Sequence, residues 1–395
     1  MIICRFMLLV NSFGVLFSVP GDGGSRIEAN LTGKPYVVHY TCSKKTKNYF
    51  DLWLNLECFI PIALDCWADN MRLVFNLTDG STSNMPGVDI RIPGFGSTES
   101  IEWLDKSKTS IGRYFTDIVK ALVSLGYRRG KDIVGAPFDW RKAPNELTNY
   151  YEALRKLIER TYRYNGNKRV VVIGHSMGNP VLFYLNRTLA WKDKFIHSHI
   201  SISGAWGGSM QIFRLFASGY NMNLYRVILP PSKLRDMQRS FTSSAFLFPS
   251  YNVWNKSEVI GGSVFKNYTL GNVEEFFHDI NYTNGYKQYQ LTGFLLGNLD
   301  PPKVTVHCIY GYDVDTPERF FWAKGYFPDY QPSTIYGDGD GTVNRRSLEA
   351  CAKWMGNNGD KNVTLYPIQG ADHMGIMENS QAIDIIKKVV FDLVA

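Results

Sequence analysis

The chain of 395 residues is 45% hydrophobic and 20% charged, the balance of a globular protein with a large core and not of a disordered chain. Its length exceeds one compact domain, so a single elaborated domain, or a core with added caps, is expected. The net charge of +7 is spread along the chain; with no basic tail, no single-sign block and no zinc-finger spacing, no nucleic-acid partner is expected.

The first twenty residues are apolar, with Arg5 near the start, and loosely resemble a signal peptide. The run from Gly14 to Gly21 also reads as a buried strand ending in a turn, and one segment cannot be both removed and kept in a core. A shortened gene start is the favoured expectation, with cleavage near Asn11–Gly14 as the alternative. Residues 34–80 gather aromatic and aliphatic side chains and read as an insertion over one end of a sheet. Within it Phe59–Leu64 is stopped by Asp65, and no stretch after the N-terminus reaches the roughly 18 apolar residues of a membrane span.

From about residue 110, apolar β-branched runs alternate with amphipathic helical patterns. The spacing predicts a helix over 111–125 closed by Gly126, a strand over 131–136, a helix over 149–164 stopped by Asn165 and Gly166, a strand over 169–173, a helix over 177–190 and a strand over 195–203. The basic cluster of Arg155, Lys156, Arg160 and Arg163, with Lys168 and Arg169 behind it, reads as a solvated face. Residues 207–300 have weak periodicity and read as a second insertion, after which strands at 304–311 and 363–368 and a helix over 380–394 resume the alternation. The class is α/β, with a mostly parallel sheet covered on both faces. Six cysteines (Cys4, Cys42, Cys58, Cys66, Cys308, Cys351) form no C-x-x-C pair. Seven Asn-x-Ser/Thr sequons, at Asn30, Asn76, Asn186, Asn255, Asn267, Asn281 and Asn362, point to the secretory pathway, where disulfides form.

The segment Arg169-Val-Val-Val-Ile-Gly-His-Ser-Met-Gly178 is an apolar strand, a Gly-x-Ser-x-Gly turn and the start of a helix. Such a turn lifts a serine hydroxyl above the sheet edge, and Gly174 and Gly178 lack the Cβ atoms that would clash there. Ser176 is the candidate nucleophile, and Met177 after it would donate its backbone N–H to an oxyanion. Of the histidines that follow at a distance, His307 lies inside a predicted strand and His278 on a surface helix, whereas His373 follows the last predicted strand by a short loop, where the base belongs. Topology leaves the acid open among Asp313, Asp315, Asp338 and Asp340. The Gly337-Asp-Gly-Asp-Gly341 turn does not read as a calcium loop, because Thr342 to Arg346 supply no later carboxylate.

These segments, with Val19-Pro-Gly-Asp22, His39-Tyr-Thr-Cys-Ser-Lys-Lys-Thr46, Trp53-Leu-Asn-Leu56, Arg91-Ile-Pro-Gly-Phe-Gly96, Ala136-Pro-Phe-Asp-Trp-Arg-Lys-Ala-Pro-Asn145 and Gly337-Asp-Gly-Asp-Gly-Thr-Val-Asn344, resemble the lecithin:cholesterol acyltransferase family, most of all its lysosomal phospholipase A2 branch, group XV. The resemblance runs from about Val19 to the C-terminus. It implies an α/β-hydrolase core with membrane-binding and cap insertions: first strand and oxyanion loop in 14–33, membrane-binding insertion in 34–80, core with the nucleophile in 81–206, cap and lid in 207–300, and core with the acid and base in 301–395. It implies a triad of Ser176, Asp340 and His373, an oxyanion hole from the backbone of Asp22 and Met177, and disulfides Cys42–Cys66 and Cys308–Cys351. Trp53, Leu54, Leu56, Phe59 and Ile60 would then touch lipid, and residues 219–245 would form a mobile lid. The family's Gly-Ala-Pro-Trp-Gly-Gly stretch lacks its proline here, in Ser203-Gly-Ala-Trp-Gly-Gly208.

The activity so implied is that of a lysosomal or secreted monomer, without metal or cofactor. It would cleave glycerophospholipid acyl esters through an acyl-serine and pass the acyl group to water or a lipid alcohol such as ceramide. The alternatives are an extracellular acyltransferase acting on sterol, and a lipid-binding protein that keeps the fold without catalysis.

Overall fold

In the computed structural model, which describes residues 15–185, 188–221, 229–356 and 362–391, six strands form the central sheet. They are β1 Val15–Val19, β2 Ile133–Gly135, β3 Val170–His175, β4 Ile196–Ile202, β5 Thr305–Tyr312 and β6 Val363–Gln369. Their order is β6-β5-β4-β3-β1-β2, and every pairing in the sheet is parallel. Alternate residues serve opposite faces. Val15, Phe17, Val19, Val170 and Val172 enter one apolar cluster, and Leu16, Val171, Ile173, Ile200 and Ile202 the other. That double burial is why these strands read as unbroken apolar runs.

The helix Thr148–Tyr164 brings Leu154, Leu157 and Ile158 to the first cluster. Helices Thr116–Ser124 and Ser380–Phe391 bring Ile118, Leu122, Ile386 and Val390 to the second. Burial of each such side chain stabilises the fold by about 1.5–3 kcal/mol. Sheet order, parallel register and helices on both faces make this the α/β-hydrolase architecture that the sequence led us to expect. Arg155 lies between Glu152 and Glu159 on its helix, as a solvated ion-paired face would have it.

Several elements differ from expectation. The helix predicted over 111–125 starts as a separate 3-10 turn, Ser110–Gly112, before Thr116–Ser124. The helix predicted over 177–190 ends at Tyr184. A second helix, Leu189–Phe195, capped by the Thr188 hydroxyl, then leads into β4. The cap is more regular than its sequence: strands Val259–Ser263 and Asn267–Thr269 join Thr316–Trp322 and Ser333–Gly337 in a four-stranded sheet that crosses residue 300. Phe50–Trp53 in the first insertion likewise pairs with Ile27–Leu31, which pairs with Val88–Arg91. Cys4, Asn186 and residues 222–228 of the expected lid lie outside the described residues. Among the described residues no helix is long and apolar enough to cross a membrane.

Candidate active site

Ser176 follows β3 directly and has φ +52°, a left-handed conformation that an L residue occupies at about 1–2 kcal/mol. Its N–H donates to the carbonyl of Ile202 at 3.0 Å, and the helix Gly178–Tyr184 starts two residues later. The turn works only with glycine two residues before and two residues after the serine. A Cβ on Gly178 would lie 2.4 Å from the Val19 carbonyl oxygen and 2.5 Å from that of Pro20, and one on Gly174 would lie 2.4 Å from Asn179 Oδ1. Asn179 in turn fastens the turn to β4. Its Nδ2 donates to the carbonyls of Ser176 at 3.3 Å and Ile202 at 3.1 Å, and its Oδ1 accepts from His199 Nε2 at 2.9 Å. Burial, with His307 and Lys192 adding to it, pushes the His199 imidazole down to about 3.

His373 stands on the loop after β6, with Nε2 3.0 Å from Ser176 Oγ and Nδ1 2.7 Å from Asp340 Oδ2. Asp340 is wholly buried. Its other oxygen accepts the backbone N–H groups of Thr342 at 3.1 Å and Val343 at 2.8 Å. A carboxylate so surrounded by donors is suited to hold the Nδ1–H tautomer, which leaves Nε2 free to accept the serine proton. The other aspartates that topology left open go elsewhere, and Asp315 is exposed. Asp338 accepts the Asp313 N–H at 2.6 Å and pairs with Arg345 at 2.7 Å, and Asp313 accepts from Gln369 at 2.8 Å. His278 is exposed beside Asp279, and His307 lies on β5 with its ring 3.3 Å from the Tyr366 hydroxyl.

Asp22 follows the first strand's turn. That turn touches the serine: a Cβ on Gly21 would lie 2.7 Å from Ser176 Cβ. Met177 is buried directly after Ser176. Three side chains hold the turn from outside. Tyr114 Oη accepts the Gly21 N–H at 3.0 Å, and the indole N–H groups of Trp53 and Trp140 donate to the carbonyls of Gly23 at 2.6 Å and Ser25 at 3.0 Å.

This changes the reading of the insertion. Trp53 was expected to face lipid, but it is half-buried against Trp67 and Trp140. Leu54, expected on the same surface, is only 7% exposed and belongs to the core. Phe59 is half-buried, its ring edge-on to Trp67. Leu56 and Ile60 do face outward, at 37% and 60% exposure, and so do Tyr36 and Tyr40, at 83% and 89%. The latter pair has no hydrophobic-pattern signal in the sequence, because two aromatics in a polar loop carry no period. Cys42 is bonded to Cys66 across this region, and Cys308 on β5 to Cys351. Cys58 is free, and burial, with Glu57 next, pushes its thiol up to about 11, which makes it a poor exchange nucleophile at neutral pH.

Residues 49–387 match the family model described as lecithin:cholesterol acyltransferase. The chain is 44% identical to the lysosomal phospholipase A and acyltransferase of Mus musculus, over 95% of this chain and 90% of that protein. It is 40% identical to the phosphatidylcholine-sterol acyltransferase of Gallus gallus, over 91% of this chain and 86% of that protein. Among solved structures, the Tle4-Tli4 complex has a chain that matches with a TM-score of 0.51 at 11% identity, covering 96% of this chain and 98% of that one.

Proposed function

The chain belongs to the lecithin:cholesterol acyltransferase family, and from that premise we propose that it is a phospholipase A and acyltransferase with Ser176 as nucleophile. The observation that carries this reading is the alignment of Ser176 Oγ, His373 and buried Asp340 through contacts of 3.0 and 2.7 Å. His373 takes the serine proton as Oγ attacks the ester carbonyl, and Asp340 stabilises the imidazolium that forms. The oxyanion is held by the backbone N–H groups of Asp22 and Met177. Lysophospholipid leaves with the proton returned by His373. Water or a lipid alcohol then enters by the reverse sequence and takes the acyl group.

Substrate comes from a bilayer. Leu56 and Ile60, on the segment leading into the helix Pro61–Met71, supply apolar contact, and the Cys42–Cys66 bond holds that helix to the loop carrying Tyr36 and Tyr40. The lysosomal assignment rests on the mouse relative's name. The disulfides, and the exposed sequons Asn76, Asn255, Asn267, Asn281 and Asn362, fit passage through the secretory pathway. A sterol acyltransferase is the second reading, favoured by the 40% identity to the Gallus gallus protein. Phosphatidylcholine liposomes carrying equal ceramide and cholesterol separate the two. Acylated ceramide with free fatty acid is expected, and cholesteryl ester as the main product would overturn the preference.

A further inference from the structure

The Gly21, His175 and His373 backbones belong to three separate segments, and one buried chain of hydrogen bonds joins them. Gly21 N–H donates to Tyr114 Oη at 3.0 Å, Tyr114 Oη lies 2.5 Å from His175 Nδ1, and His175 Nε2 lies 2.9 Å from the His373 carbonyl oxygen. The direction of every bond follows from its end groups. A carbonyl only accepts, so His175 Nε2 carries the proton. The neutral ring then accepts at Nδ1, so the Tyr114 hydroxyl donates there and its lone pair receives Gly21 N–H. No member is left unpaired.

From this geometry we propose that Tyr114 and His175 are positioning residues, which set the oxyanion loop against the nucleophile and the base. Three members of the chain are within one residue of a group in the mechanism: Gly21 precedes Asp22, His175 precedes Ser176, and the carbonyl belongs to His373 itself. The proposal rests on Ser176 being the nucleophile, but neither residue touches the reacting atoms. Tyr114 is itself rigid. Its N–H donates to the Glu102 carbonyl at 3.0 Å, and its ring packs edge-on against Phe115 and His175. The fit to the loop is close, because a Cβ on Gly24 would lie 2.7 Å from Tyr114 Cε1. Burial, and then the neighbouring His373, keep His175 well below the usual histidine range, so the neutral form that the chain requires is the form present.

Oxyanion donors act mainly in the transition state, so loosening the loop lowers kcat and spares KM. The test is steady-state hydrolysis of a soluble p-nitrophenyl ester by four variants, with the folded fraction checked by circular dichroism and Ser176 labelling by a fluorophosphonate followed by mass spectrometry. Tyr114→Phe and His175→Leu are each expected to lose roughly tenfold in kcat at unchanged KM. The double variant should be no slower than the slower single one, because the chain acts as a unit. His175→Gln should recover most of the rate, since its carboxamide offers an acceptor and a donor at the spacing of the two ring nitrogens. Wild-type kcat in Tyr114→Phe, additive losses in the double variant, or equal rates for His175→Gln and His175→Leu would overturn the proposal. Should Tyr114→Phe not fold, the Gln and Leu comparison at position 175 decides alone. Failure of the probe to label Ser176 in the unsubstituted protein would contradict the functional reading instead.

Discussion

Asp340 and His373 are joined twice: the imidazole Nδ1 meets the carboxylate at 2.7 Å, and the His373 N–H donates to the Asp340 carbonyl at 2.8 Å. The second bond keeps the loops together when the carboxylate is neutralised. Asp340→Asn should therefore fold, yet lose about 10³–10⁴ in kcat through the wrong imidazole tautomer. Steady-state kinetics with a native circular dichroism spectrum checks this. A variant retaining a tenth of the rate would place the acid elsewhere.

The turn around Ser176 separates strain from contact. At φ +52°, Ser176→Gly should be more stable than Ser176→Ala by about 1 kcal/mol, since only glycine occupies that region freely. Gly178→Ala should destabilise by roughly 2 kcal/mol, because the atoms its Cβ meets are the backbone oxygens of Val19 and Pro20, which cannot swing aside. Urea unfolding of the three variants and the unsubstituted protein gives both differences.

How far the site was legible in the sequence depended on whether its parts were local. Ser176 could be found because strand, turn and helix are contiguous, and His373 because it follows a recognisable last strand. Asp340 could not be separated from Asp313 and Asp338 by pattern. What distinguishes it is burial and the donors Thr342 and Val343, which only the folded loop brings to it. Tyr114 had no signal at all, lying 61 residues from His175 in a stretch predicted as ordinary helix. The cap strands lack a sequence signal for a related reason. Val259–Ser263 contains Gly261 and Gly262 and finds its parallel partner beyond residue 300, so neither propensity nor alternation marks it.

Buried His199 predicts an acid-dependent stability. Its folded pKa of about 3 lies below the ordinary 6.5, so between these values the unfolded chain binds a proton that the native chain does not, and stability falls as pH falls. The slope from this group is roughly 1 kcal/mol per pH unit below about pH 6. Thermal midpoints at pH 7 and 5 should drop less for His199→Gln than for the unsubstituted protein. Equal drops would remove His199 from the account.

The insertion divides into surface and support. Leu56→Ser with Ile60→Ser should weaken sedimentation with anionic liposomes several-fold and leave hydrolysis of a soluble ester intact, because both side chains face outward. Leu54→Ser should instead destabilise the fold by about 2–4 kcal/mol, as expected for a buried leucine. Its liposome binding and soluble-ester activity should fall together with the folded fraction. Selective loss of liposome binding in Leu54→Ser would return that residue to the lipid-facing surface.

One acyl-serine is the source of every product in this mechanism. The most direct measurement is the yield of free fatty acid and of acylated ceramide from phosphatidylcholine liposomes containing ceramide, with Ser176→Ala beside the unsubstituted protein. Both products should fall together to background, by a factor of at least about 10³. Persistence of either one in the folded variant would contradict Ser176 as the common nucleophile.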